Sequence, residues 1–173
     1  MDLKLLFADK ATKPKEKIET LCGKLIAGEI TFSSVIDFAR EAKDPVKASC
    51  IESFEFVSKE NPEKCPAEAI EFAVMNLGAK APRIKWESAK VIGNLAAKYP
   101  DIAINALPAL IANSEFDGTV VRWAAAYAIG EIIKLQLPVN ESLLPQVSNI
   151  IEREEKDSIK KIYKQALKKI GVK

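Results

Sequence analysis

The sequence predicts an all-α fold, an α-α superhelix of about four helical hairpins behind an N-terminal helical cap. Three observations carry that expectation. A β-branched residue followed by a basic one opens an apolar, helix-forming segment four times, at Val46-Lys47, Ile84-Lys85, Val121-Arg122 and Ile159-Lys160. The basic residues step by 85 − 47 = 38, 122 − 85 = 37 and 160 − 122 = 38, a near-constant period that fits one helix pair per repeat. Inside the segments the apolar spacing is helical: Ile84, Ser88, Val91, Ile92 and Leu95 line one face, and Val121, Ala125, Ala128, Ile129 and Ile132 repeat the pattern.

The chain divides accordingly into a cap at 1–30 and repeats at 31–64, 65–99, 100–138 and 139–173. In the cap, a short helix is expected over 2–9 and a longer one over 14–28, where Gly28 can stop it. Its apolar residues Ile18, Leu21, Cys22, Leu25 and Ile26 cover the open end of the first repeat. The first helix of each repeat falls at 31–42, 66–79, 101–114 and 140–155, and the second begins at the β-branched/basic pair. Asp44-Pro45 and Asp117-Gly118 mark turns within repeats. Asn61-Pro62, Tyr99-Pro100 and Leu137-Pro138 mark turns between them, because proline biases its predecessor away from the helix. Leu107-Pro108 aligns with Leu144-Pro145, and Asn76 with Asn113, at the same step of 37; the two prolines should bend or begin their helices. Asp44, Asp101, Thr119 and Asp157 are the expected N-caps. Small residues recur along the second helices (Ala89, Gly93, Ala96; Ala124, Ala126, Gly130), which lets neighbouring helices approach closely.

The stretch Asp117–Ile132 (DGTVVRWAAAYAIGEI) resembles the second helix of a HEAT repeat, with its turn acid, Val-Arg pair, alanine run and late glycine. Ile84–Leu95 is close to it, and the first and fourth repeats are degenerate, as terminal repeats that cap an array are. The resemblance spans roughly residues 31–171 and implies a HEAT/ARM-like (armadillo-like) solenoid. A fold of this kind hosts many tasks and does not by itself specify one.

Composition narrows the function. The chain carries 26 Lys and Arg against 24 Asp and Glu, a net +2, so its total charge exerts no strong pull on nucleic acid or anionic lipid. It contains no histidine, which removes Ser-His-Asp and Cys-His catalysis together with the commonest metal ligand. Its three cysteines, Cys22, Cys50 and Cys65, lack CxxC spacing and read as reduced thiols of a cytoplasmic protein rather than a disulfide framework or a zinc site. Cys22 and Cys50 fit core positions, whereas Cys65 is expected to be exposed in a loop. The start of the chain does not read as a signal peptide, and no apolar run reaches the roughly 18 residues of a membrane span. No cofactor, metal or membrane association is expected.

Two groups of residues could do more than pack. Lys85, Trp86, Lys90, Arg122, Trp123 and Tyr127 form an aromatic and basic strip, with both tryptophans one residue after the basic position and 123 − 86 = 37 apart. The resemblance places this strip on the concave face lined by second helices; alternatively, the tryptophans pack between repeats. The resemblance likewise offers the ladder Lys47, Lys85, Arg122, Lys160 a structural role, paired with turn acids Asp44, Asp117 and Asp157. The second group is Lys160, Lys161, Lys164 and Lys168, within a C-terminal stretch (156–173) of seven Lys and one Asp, a local +6. Residues 1–30 hold six Lys and five acids (+1), so 31–155 carry 2 − 6 − 1 = −5. The lysines either complement the helix dipole and solvate the array's end or dock an anionic partner. The function expected is a non-catalytic protein–protein interaction scaffold using the second-helix surface. The alternatives are a nucleic-acid-binding or alkylpurine DNA glycosylase-type protein, disfavoured by the acidic middle and by Lys90 and Tyr127 standing where an acid is wanted, and a bilin-lyase-type HEAT protein.

Overall fold

A computed structural model describes residues 1–172; Lys173, the last lysine of the C-terminal cluster, lies outside the described residues. Among them are eleven α-helices and no strand: α1 (Leu3–Ala8), α2 (Pro14–Ile26), α3 (Phe32–Glu41), α4 (Asp44–Glu60), α5 (Ala67–Asn76), α6 (Pro82–Leu95), α7 (Pro100–Asn105), α8 (Leu107–Asn113), α9 (Thr119–Lys134), α10 (Asn140–Arg153) and α11 (Asp157–Lys169). The second helices α4, α6, α9 and α11 begin 82 − 44 = 38, 119 − 82 = 37 and 157 − 119 = 38 residues apart, the same steps as the basic ladder.

The helices form two layers. The second helices pack side by side in the order α2, α4, α6, α9, α11, while α3, α5 and α7 pack successively in the layer behind them. The cap thus contributes α2 to the second-helix layer, and α1 is a short first helix for it. Every residue of the expected stripes on α6 and α9 is buried, from Ile84 to Leu95 and from Val121 to Ile132. Leu21, Ile51, Ile70, Ile92, Leu110 and Ile129 continue the core through the array.

A second helix in the middle of such a stack has neighbours on three sides, so burial spreads well beyond one stripe. The small residues make this possible. A Cβ added at Gly93 would lie 2.5 Å from Tyr127 Cε1 and 3.2 Å from the Cα of Ala128, which places the α9 backbone directly against α6. At Gly130 an added Cβ would be 3.4 Å from the Ala166 methyl of α11. The matching position on α4 is Glu55 (93 − 38 = 55), and there the α4–α6 seam is filled by a charged side chain instead.

Several local features depart from the sequence reading for identifiable reasons. Pro108 divides the expected helix 101–114 into α7 and α8, since it has no N–H to offer the carbonyl one turn back. Pro145 neither begins nor ends its helix and sits in the second turn of α10 with its ring exposed. Asp44, Thr119 and Asp157 are the first residues of their helices and Asp101 the second, so none is the N-cap; Lys43, Gly118, Lys156 and Tyr99 occupy that place. The three aspartates act as charges at the positive end of the helix dipole, not as hydrogen-bonding caps. Asp2 and Thr31 do cap α1 and α3 through their side chains. Gly28 ends the turn after α2 at φ 71°, a left-handed conformation that leaves the Glu29 N–H bonded to the Lys24 carbonyl at 2.9 Å.

Cys65 is buried, not exposed. The turn that holds it is pinned from the next repeat: Lys98 Nζ donates to the carbonyls of Pro62, Glu63 and Cys65, at 3.1, 2.9 and 2.8 Å, and the Tyr99 hydroxyl donates to the Cys65 carbonyl at 2.8 Å.

Gly93→Ala is expected to lose about 1–3 kcal/mol of stability through overpacking against Tyr127 and the α9 backbone, despite alanine's better helix propensity. Gly23→Ala on α2, where an added Cβ meets nothing within 4 Å, is expected to gain up to about 1 kcal/mol. Urea unfolding of the two variants beside the native chain checks both signs.

Candidate binding face

The solvent side of the second-helix layer follows from its register. The stripe runs through Arg83, Trp86, Lys90 and Asn94 of α6 to Ala97 just past its end, and through Val120, Trp123, Tyr127, Glu131 and Lys134 of α9, all at least partly open. Adding 37 to each member of the first set gives the second, so one 3-4-4-3 stripe recurs on both helices. Across the helices Trp86 therefore lies level with Trp123, Lys90 with Tyr127, and Asn94 with Glu131.

The aromatic part of the strip is brought together, but its two tryptophans differ. Trp123 is 40% exposed and stacks on Tyr127, ring centroids 6.0 Å apart and planes 8° from parallel. The Tyr127 hydroxyl donates to Asn94 Oδ1 at 2.7 Å, and Asn94 Nδ2 donates to the Glu55 carbonyl at 3.1 Å and to Ser58 Oγ at 3.0 Å. This chain of bonds holds Tyr127 rigidly beneath Trp123. Burial, with Glu131 and Glu55 adding to it, pushes the Tyr127 phenol up to about 12. Trp86 is half-buried and donates from Nε1 to Glu87 Oε1 at 2.6 Å.

The basic members of the strip have other engagements. Lys90 is held by two buried carboxylates, Glu55 at 3.2 Å and Glu87 at 3.1 Å. Burial alone would lower the Lys90 ammonium's pKa; the two carboxylates outweigh it and raise it. For Glu87 the balance goes the other way. Burial raises its carboxyl above the ordinary value, and Lys90 and Trp86 recover only part of the shift. Four residues on from the tryptophans the sequence has Lys90 and Tyr127, not an acid, although Glu87 directly follows Trp86. Glu55 and Glu87 reach this face from the seams between helices, at positions level with Gly93 and Ala124 of the next helix, and nothing local marks them.

Lys85 and Arg122 serve the turns instead. Lys85 Nζ donates to the Leu77 carbonyl at 2.9 Å and to Asn113 Oδ1 of the next repeat at 2.9 Å, while sitting 5.4 Å from the Phe116 ring centre. Burial lowers its pKa. Arg122 repeats the arrangement one repeat on: its Nη1 donates to the carbonyls of Phe116 and Asp117 at 3.0 and 2.9 Å, and Nε and Nη2 grip Glu154 at 2.9 and 3.2 Å. These two ladder cations, Lys85 and Arg122, thus each tie their own turn to an acceptor from the following repeat. The carboxylates of Asp44, Asp117 and Asp157 are not those acceptors. Of the C-terminal group, Lys161, Lys164 and Lys168 are exposed and Lys160 half-exposed, on the last helix of the array.

The thiols offer no nucleophile. Burial pushes Cys22 and Cys65 up to about 11 and Cys50 to about 12, so all three are protonated at neutral pH. No helix among the described residues is long and apolar enough to cross a membrane, and no group of three or more acidic or cysteine side chains there could hold a metal.

The two helical layers, the 37–38-residue step and the pinned turns define an α-solenoid of armadillo-like helical repeats. The chain superposes on a designed armadillo repeat protein solved with the peptide (KR)4, at a TM-score of 0.76 over 98% of this chain and 80% of that one, with 19% identity. It matches an engineered protein at a TM-score of 0.76 and 16% identity, over 98% and 79% of the two chains. A third likeness is to the complex of CpcE and CpcF of phycocyanin lyase from a Nostoc species, at 0.57 and 16% identity, over 86% and 96%. At such identities these likenesses establish the fold alone. No protein-family profile matches the chain, and no curated protein matches it in sequence.

Glu154→Gln is expected to cost about 2–4 kcal/mol, because it weakens a largely buried, bidentate partner of Arg122. Burial opposes ionisation of Glu154, but Arg122 and the N–H groups of Lys156 and Glu155 outweigh it and hold the carboxyl below its ordinary 4.5. A lowered native pKa means that the stabilisation is complete above the unfolded value and lost as pH falls through the native one. The native chain should therefore lose stability as pH drops below about 4.5, and Glu154→Gln should flatten that part of the curve, read by denaturant melts at stepped pH.

Proposed function

We propose that this chain is a non-catalytic scaffold that binds a basic peptide segment of a partner protein across the solvent side of its second-helix layer. The observation that carries the reading is Trp123, 40% exposed and stacked on a Tyr127 that is itself fixed by Asn94. An exposed indole held on a rigid platform is a low-entropy anchor of the kind that dominates interface energetics.

The charge beside it selects the ligand. On α4, α6 and α9, Glu52, Glu55, Glu87 and Glu131 stand near the aromatics against Arg83, Lys90 and Lys134, four negative charges to three positive. Such a face suits a lysine or arginine side chain, which can lie over an aromatic ring with its charge toward a carboxylate. It does not suit a phosphate backbone, which needs a groove of surplus cations. The designed armadillo repeat protein with the same fold was solved holding (KR)4, and that supports a peptide of this chemistry as the ligand class here. The lysines of α11 border this face on the other side, with Lys161 level with Trp123 and Lys169 with Glu131 at the 38-residue step, so the basic peptide is placed toward α4 and α6.

The two tryptophans are the chain's only ones, so their emission reports on this face directly. Titration with (KR)4 is expected to change that emission saturably, with binding that weakens as salt is raised. Trp123→Ala, followed by anisotropy of a labelled peptide, should weaken it about tenfold or more. Equal affinity of the variant, or equal binding of a Glu-substituted peptide, would sink the reading.

A further inference from the structure

At the opposite end of the second-helix layer, α2 and α4 enclose an apolar groove of about 850 Å³, lined by Ile18, Cys22, Gly23, Ile26 and Phe56. It shares Glu52 and Arg83 with the edge of the Trp123 face but contains neither Trp123 nor Tyr127, and it lies within the roughly 300–1,000 Å³ range of ligand sites. Phe56 is 46% exposed there, level with Asn94 of α6 but without a polar group to satisfy it. Gly23 leaves the α2 wall open, since an added Cβ would meet nothing within 4 Å.

We infer that this groove is a docking site for a short amphipathic helix of a partner protein, with apolar residues at helical spacing and basic residues at its edge. Three features select that occupant. First, the walls are ridges of residues four apart: Ile18, Cys22 and Ile26 on α2, and Glu52, Phe56 and Glu60 on α4. A third helix interdigitates with such ridges as helices do elsewhere in this layer. The eight-residue length of the α2 ridge spans about 12 Å, two turns of an incoming helix. Second, the walls present few hydrogen-bonding groups. An extended peptide would bury backbone N–H and C=O groups without partners, whereas a helix satisfies its own. Third, the rim is acidic in effect. Glu19, Glu52 and Glu60 stand there against Lys15 and Arg83, three negative charges to two positive. Arg83 is paired with Glu52, Lys15 makes only a solvent-exposed contact with Glu19, and Glu60 stands exposed. A basic flank on the ligand meets Glu60 and competes for Glu19.

The test uses the full chain and a fluorescently labelled, amidated peptide of about three helical turns, with leucines on one face and lysines on the other. A scrambled peptide of the same composition, unable to segregate its leucines, serves as the control. Saturable binding of the amphipathic peptide, with a gain in helicity by circular dichroism, is expected. Gly23→Leu, which fills the groove from an exposed helical position, and Phe56→Ser, which removes its open wall, should each weaken binding about tenfold or more. Trp123→Ala should leave it within about twofold, so loss of (KR)4 binding and loss of this binding are read separately. Thermal melts no lower than native for Gly23→Leu show that the fold is kept. Equal binding of the scrambled peptide, or no effect of Gly23→Leu, overturns the inference. So does a concentration-dependent dimer in sedimentation that Gly23→Leu dissolves, because the occupant would then be a second copy of this chain.

Discussion

The structure depends on how closely consecutive second helices can approach. That distance is set at one row of positions, occupied by Glu55, Gly93 and Gly130 on α4, α6 and α9. Where glycine stands, the next backbone or a methyl group closes directly over it, and dispersion and apolar burial hold the seam. Where Glu55 stands, the seam is instead closed by Lys90, with Glu87 on its other side. The two solutions have different energetics. At Gly93 the dry seam leaves no room for a Cβ, whereas at Gly130 a Cβ would make an ordinary contact with Ala166. A buried ion triad contributes little net stability against its desolvation, yet it strongly resists loss of any one member.

The turns show a second division of labour. Lys85 and Arg122 look like surface cations in the sequence, but both fold back onto turn carbonyls and reach an acceptor one repeat ahead. Lys98 works in the other direction, reaching back to the carbonyls of the earlier turn at Cys65. Exposed ion pairs contribute about 0–1 kcal/mol each, whereas these cations satisfy carbonyls that would otherwise be short of donors at the ends of helices. Each thereby ties one hairpin to the next away from the solvent face, where Trp123 is exposed and not part of the core.

Much of this was legible in the sequence because a repeat writes its geometry several times. The second-helix starts, the buried stripes from Ile84 to Leu95 and Val121 to Ile132, and the level placement of Trp86 and Trp123 all follow from a constant step and a 3.6-residue turn. What was not legible depends on contacts across repeats. Cys65 sits in a Lys-Cys-Pro turn that looks exposed until Lys98 and Tyr99 fold over it from 33 and 34 residues away. Glu55 and Glu87 lie on seams, and in a single helix they look like ordinary surface acids. The helix starts slipped by a residue or two. Lys43, Gly118 and Lys156, just before Asp44, Thr119 and Asp157, have extended backbone and take the N-cap place. Pro100, whose missing N–H costs nothing at a first helical position, starts α7 ahead of Asp101.

Trp86 and Trp123 show where function enters such an array. They share one register, one helix layer and a basic residue just before them (Lys85, Arg122), yet one is half-buried and the other 40% exposed. The difference lies four residues on. Lys90 follows Trp86 and draws the carboxylates of Glu55 and Glu87 around it, so the indole N–H is bound to Glu87 and the ring lies against the layer. Tyr127 follows Trp123, has Asn94 for its hydroxyl, and offers a flat ring on which the indole stands clear. Positions on which the repeats agree set the spacing and the seams, since any disagreement there would break the stack. Positions on the solvent side are free of that constraint, so their disagreements are where a ligand can be specified. On this face the disagreement at 90 and 127 places an exposed aromatic stack beside a pair of buried carboxylates, and neither repeat alone contains both.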